Sequence, residues 1–122
     1  MCLRFKFYGF SAKHGYYFLR YRFMKIAICD DELSYLDETE RLLKQWADQR
    51  GIDITPYRFT NGDDLIQAHQ TYCMDLIILD IIMPLLNGMD TARELRYDHQ
   101  SVPIILLTSS REYAVDSYEV KA

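Results

Sequence analysis

Residues Leu76–Gly88 read LIILDIIMPLLNG. The apolar run Leu76–Leu79 meets Asp80 and then a loop containing Pro84, Asn87 and Gly88. A short, unbroken apolar run bounded by turn residues is the pattern of a strand buried on both faces. An ionised carboxylate within such a run is costly unless it is paired or reaches water. Asp80 is therefore expected at the point where the strand leaves the core.

The flanking sequence repeats this arrangement. Upstream, Lys25–Cys29 is a second apolar run, and it ends on Asp30-Asp31. Leu33, Leu36, Leu43, Trp46 and Ala47 then recur at helical spacing among charged residues, which predicts an amphipathic helix over 33–50 ended by Gly51. Residues 54–59 are β-rich, with Pro56 favouring an edge strand. Asn61-Gly62 reads as a turn, and a short helix begun by Asp63 and Asp64 follows. Downstream, Met89, Ala92 and Leu95 suggest a third helix. Pro103 precedes the apolar run Ile104–Leu107, which ends at Thr108, and Glu112–Val120 has a fourth helical pattern.

Strands apolar on both faces, alternating with amphipathic helices, predict an α/β fold with a parallel sheet covered on both sides. In open parallel sheets, ligands bind beyond the carboxyl ends of the strands. Here those ends carry Asp30, Asp31, Asp80 and Thr108. Crowded carboxylates repel and raise one another's pKa, and a hard divalent cation such as Mg²⁺ relieves this. The cation could hold a phosphoryl group while a carboxylate attacks it, leaving Thr108 to hydrogen-bond a phosphate oxygen. The competing reading is structural: Asp30 caps the following helix and Asp80 merely starts a loop.

Charge and composition narrow the function further. The 122 residues carry a net charge of −4. Residues 1–23 hold five basic residues, no acid and nine Phe or Tyr, whereas 24–122 hold nine basic residues and all eighteen acids. The acidic body is a poor candidate for direct nucleic-acid binding. Residues 1–23 form a basic aromatic extension, expected to be a poorly ordered tail or a mis-assigned start before Met24. Charges or glycines break every apolar run there, so no secretory signal is expected. Three cysteines without CxxC spacing argue against a disulfide framework or zinc site, and Cys29 reads as a small buried residue. No uncharged apolar stretch is long enough to span a bilayer, and a cytoplasmic location is expected.

Three elements, ICDDE at 28–32, LIILDIIMPLLNG at 76–88 and LLTSS at 106–110, together resemble the receiver domain of two-component response regulators. The resemblance covers residues 24–122, and REYAVDSYEV at 111–120 resembles receivers that precede LytTR-type DNA-binding domains. It implies a flavodoxin-like doubly wound sheet with strand order 2-1-3-4. It also implies that Asp80 accepts a phosphoryl group from a sensor histidine kinase. Asp31 would bind Mg²⁺ directly and Asp30 through water, with Asp80 and the backbone carbonyl of Ile82 completing the protein ligands. Thr108 would be the switch hydroxyl, while Pro84 and Gly88 would shape the loop.

The family's fifth strand and helix, with the lysine that pairs with the phosphoryl group, are expected to be missing from this chain. Lys121 reads as a solvated helix-end residue instead. Loss of that element would expose a sheet edge and favour self-association or marginal stability. Two other functions compete. One is a receiver-like interaction module that no longer signals. The other is an Asp-nucleophile phosphohydrolase, which Ile82 disfavours because that class places an acid two residues after its nucleophile.

Overall fold

The structure, a computed structural model, describes residues 23–83, 87–97 and 101–107. Its elements are β1 (Phe23–Cys29), α1 (Leu33–Arg50), β2 (Asp53–Phe59), α2 (Gly62–Tyr72), β3 (Leu76–Asp80), α3 (Gly88–Tyr97) and β4 (Ile104–Leu107). The four strands form one parallel sheet in the order β2-β1-β3-β4. This is the predicted architecture. Pro84, Thr108, Lys121 and the fourth helical pattern lie outside the described residues.

Alternation along the strands sends successive side chains to opposite faces. On one face, Ile26 and Ile28 of β1 and Ile78 of β3 pack against Leu36, with Leu43 of α1 alongside. On the other, Ala27, Cys29, Ile77 and Leu79 pack against Leu65 of α2 and Met89 of α3. Placement of α1 on one face and of α2 and α3 on the other follows from right-handed crossovers, because the chain steps from β1 to β2 in one direction and from β2 to β4 in the other. That reversal leaves a crevice between the carboxyl ends of β1 and β3.

Local signals explain the element ends. Gly51 closes α1 with φ 63°, and its N–H reaches the carbonyls of Ala47 and Asp48. Only a residue without Cβ adopts that left-handed conformation cheaply. Pro56 lies in β2, which is the edge strand among the described residues and has one side without a described neighbour to serve. Asn61 is a helix cap rather than a turn residue: its side chain accepts the Asp64 N–H at 2.9 Å and donates to Asp64 Oδ2 at 2.9 Å. β1 starts at Phe23, one residue before the compositional break, because Phe23 pairs with Asp53. Leu33, assigned to the buried stripe of α1, is 63% exposed at the first helical position.

Candidate functional site

The strand register brings the acids together. Cys29 of β1 pairs with Leu79 of β3, so the next residues, Asp30 and Asp80, emerge side by side. The Asp30 N–H continues the ladder to the carbonyl of Phe59, and the Ile81 N–H continues it to Leu107. Adjacent strands lie about 4.8 Å apart, and carboxylate oxygens of Asp30, Asp31 and Asp80 all fall within 4.8 Å of one another.

These carboxylates are placed differently. Asp30 is 9% exposed, Asp80 is half-buried and Asp31 is exposed. Asp30 Oδ1 accepts the Glu32 N–H at 2.9 Å. That bond forms a turn before α1; the cap position belongs to Glu32, whose side chain makes no cap bond. The capping role considered for Asp30 is therefore not the one it plays. The Ile82 N–H lies 3.4 Å from Asp80 Oδ1.

Burial pushes the Asp30 carboxyl above its usual range and the Asp31 charge adds to this, while the Glu32 N–H opposes it. Burial also raises the Asp80 carboxyl, the Asp30 charge adds, and the N–H groups of Ile82 and Ile81 oppose. Like charges at this separation repel by about 1–3 kcal/mol per pair at the effective dielectric of a protein surface. Beneath them, the Cys29 thiol is pushed up to about 12, first by burial and then by Asp30, Asp80 and Asp31. Cys29 is an inert buried thiol, as its apolar run implied.

The loop after Asp80 is held at both ends. Gly88 N–H donates to the Ile81 carbonyl at 2.8 Å. A Cβ on Gly88 would lie 2.7 Å from Ile81 Cα and 2.8 Å from the Asp80 carbonyl carbon, and closer still to the Asp80 oxygen. Close backbone approach, rather than an unusual φ, requires glycine here. Asn87 Oδ1 accepts the Asp90 N–H at 2.9 Å and starts α3. Met83 turns back into the core, its Sδ 3.6 Å from Cys29 Sγ.

Of the predicted site residues, Asp30, Asp31 and Asp80 converge, and Ile82 lies in the loop beside Asp80. Leu107, the residue before Thr108, pairs with Asp80. The Cys29–Met83 contact was not foreseen, and nothing local in the sequence signals it. The Asn61 cap was also missed, although Asn is among the favoured cap residues and stands just before the acids that start α2.

An open parallel sheet with a carboxylate cluster at its β1/β3 crevice defines an α/β domain whose candidate site lies beyond the carboxyl ends of its strands. Comparison with known proteins narrows this class. The family profile of the response regulator receiver domain matches residues 26–122, and the chain belongs to that family. It is 34% identical over 99 residues to the sensory transduction protein LytT of Oceanobacillus iheyensis, covering 80% of this chain and 39% of that protein. It is 31% identical over 88 residues to the alkaline phosphatase synthesis transcriptional regulatory protein PhoP of Bacillus subtilis, covering 72% of this chain and 34% of that one. The chain thus spans well under half of these relatives. Among solved structures, the response regulatory domain of protein mrkE from Klebsiella pneumoniae superposes with a TM-score of 0.69 at 29% identity, covering 81% of this chain and 78% of that one.

Proposed function

We propose that this receiver accepts a phosphoryl group on Asp80 from a sensor histidine kinase. The observation that carries the reading is the approach of the Asp30, Asp31 and Asp80 carboxylates within 4.8 Å at the β1/β3 crevice. In the transfer, an Asp80 oxygen forms a bond to phosphorus while the phosphorus–nitrogen bond to the donor histidine breaks. The imidazole leaves with the electron pair, and Asp80 becomes an aspartyl phosphate. This is a switch rather than a turnover enzyme.

The donor set fits Mg²⁺. All three side chains offer hard oxygen ligands, and burial and mutual repulsion raise the Asp30 and Asp80 carboxyls in a way a cation would relieve. Asp31 and Asp80 would bind it with the Ile82 carbonyl. Asp30, already holding the Glu32 N–H, would contribute through water. Bound there, the ion would neutralise charge on the phosphoryl oxygens. Thr108 serves as the switch hydroxyl in this reading, following β4 in the chain as Asp80 ends β3.

The likeness to LytT supports the LytTR-type reading, and the likeness to the transcriptional regulatory protein PhoP supports a role in transcriptional regulation. The acidic body makes direct nucleic-acid binding by this domain unfavourable. A cytoplasmic location accords with this role, and no described helix is long and apolar enough to cross a membrane. Ile105 and Leu107, 47% and 42% exposed, support self-association along the β4 side, which sedimentation equilibrium would detect.

The direct test is incubation with a small acyl phosphate and Mg²⁺, followed by intact mass measurement. The chain should gain one phosphoryl group, and Asp80→Asn should gain none. A wild-type chain that gains no Asp80-dependent mass would make it a receiver-like interaction module instead.

A further inference from the structure

We propose that Cys29 and Met83 are positioning residues of the acidic pocket, and that their sulfur contact sets how tightly the pocket takes a divalent cation. Cys29 Sγ donates to Met83 Sδ at 3.6 Å, and the two residues are 2% and 7% exposed. They are 54 residues apart in sequence, so the contact joins two segments rather than staples one.

Both segments carry ligands of the proposed cation, and to that extent this inference rests on the phosphoacceptor reading. Cys29 ends β1 and immediately precedes Asp30 and Asp31. Met83 directly follows Ile82, within the loop that leaves Asp80. The direct pairing of β1 with β3 ends at Cys29↔Leu79, and the next N–H groups, of Asp30 and Ile81, turn away from each other to Phe59 and Leu107. Beyond that pairing, Ile82 itself is 62% exposed. Ile81 and Met83, buried on either side, fix its position from below. Sulfur contacts of this kind are weak individually. Ligand supports, however, act on affinity by fixing orientation, and their removal typically weakens metal binding by about 10–100-fold. A thiol–thioether contact belongs at the low end of that range.

The test is titration of the full chain with MgCl₂, followed by calorimetry. Cys29→Ala removes the donor, and Met83→Leu removes the acceptor while nearly conserving volume. Each should raise the Mg²⁺ dissociation constant about tenfold. The double variant should be no weaker than the worse single variant, because one contact is lost in all three. Ile26→Val serves as the control. It trims the opposite face of β1, in the middle of the strand, lowering the melting temperature but leaving Mg²⁺ affinity unchanged. Wild-type affinity in folded Met83→Leu, or equal weakening by Ile26→Val, would overturn the proposal. A wild-type chain that binds Mg²⁺ but gains no mass at Asp80 would discard the phosphoacceptor reading and leave this one standing. A wild-type chain that binds no Mg²⁺ would overturn both.

Discussion

Replacing Gly88 with alanine adds one methyl group where the chain has no room for it. The new carbon would sit 2.7 Å from Ile81 Cα and 2.8 Å from the Asp80 carbonyl carbon. Both are backbone atoms, so no side-chain rotation can relieve the overlap. Ordinary contact requires about 3.5–4.0 Å. The start of α3 and the Asp80–Ile81 backbone must therefore separate by roughly 1 Å. That displacement stretches the Gly88 N–H bond to the Ile81 carbonyl, now 2.8 Å. Overpacking costs about 1–3 kcal/mol, and a weakened hydrogen bond adds up to about 1 kcal/mol. Alanine's better helix propensity returns up to about 1 kcal/mol. The expected net loss is about 1–3 kcal/mol, read as a lower urea midpoint with an unchanged slope. Asp80 moves with its carbonyl, and a misplacement of about 1 Å costs about 100-fold in rate. Phosphorylation by an acyl phosphate should slow by roughly that factor. Gly51→Ala provides the comparison. Its φ of 63° strains any side chain, but nothing lies within 4 Å of a Cβ there. It should cost about 1–2 kcal/mol and leave phosphorylation intact. A Gly88→Ala chain with wild-type stability and rate would refute the argument from close approach.

Other perturbations separate the contributions of capping, charge and cation. Asn61→Ala removes the side-chain acceptor of the Asp64 N–H and should destabilise the chain by about 1 kcal/mol in urea melts without altering Mg²⁺ affinity. Asp30→Asn should raise the melting temperature near neutral pH in the absence of divalent ions. The folded Asp30 carboxyl holds its proton to higher pH than the unfolded one, whose reference value is 3.8, so its ionised form subtracts stability above that window. The gain should therefore shrink as the pH falls through the raised value, and a gain that grows in acid would contradict the sign. Mg²⁺ at ten times its dissociation constant should stabilise the wild type by about 1.4 kcal/mol. Scanning calorimetry with and without chelator should show that Asp31→Asn loses most of this effect.

Much of this fold was legible because its signals are local. The runs KIAIC and LIIL, the stripe of α1 and the stop at Gly51 each depend on neighbours a few residues away, and each element lies where those residues indicate. The strand ends also marked Asp30, Asp31 and Asp80 as a set before any geometry was available. Strand order was different. Periodicity predicts a parallel sheet but not which strand lies beside which, and the order came from the family resemblance. Register was equally hidden, yet it is the pairing of Cys29 with Leu79 that makes Asp30 and Asp80 neighbours. Asn61 was misread because Asn-Gly suits both a hairpin turn and a helix start; the deciding bond, from Asp64 N–H, requires the helix to exist first. Cys29 and Met83 are both simply apolar in sequence, and only the folded sheet brings their sulfurs together.

Asp80 sits at the meeting point of two opposed demands. The core needs Ile77–Leu79 buried, and it anchors β3 so firmly that the following residue has little freedom to move. The proposed chemistry needs a carboxylate that water and a partner can reach. One residue of strand separates the two: Leu79 is fully buried and Asp80 is half-buried. The cost of this placement shows in the raised Asp30 and Asp80 carboxyls, which burial and proximity hold above their usual range. A fold selected for stability alone would separate these acids or pair them with cations from its own chain. Among the described residues, three arginines meet acids on the helices: Arg41 meets Glu38, Arg58 meets Asp37 and Glu40, and Arg93 meets Asp90. The carboxylate charge at the crevice is concentrated where, in the proposed function, a divalent cation and a phosphoryl group would complete the electrostatics.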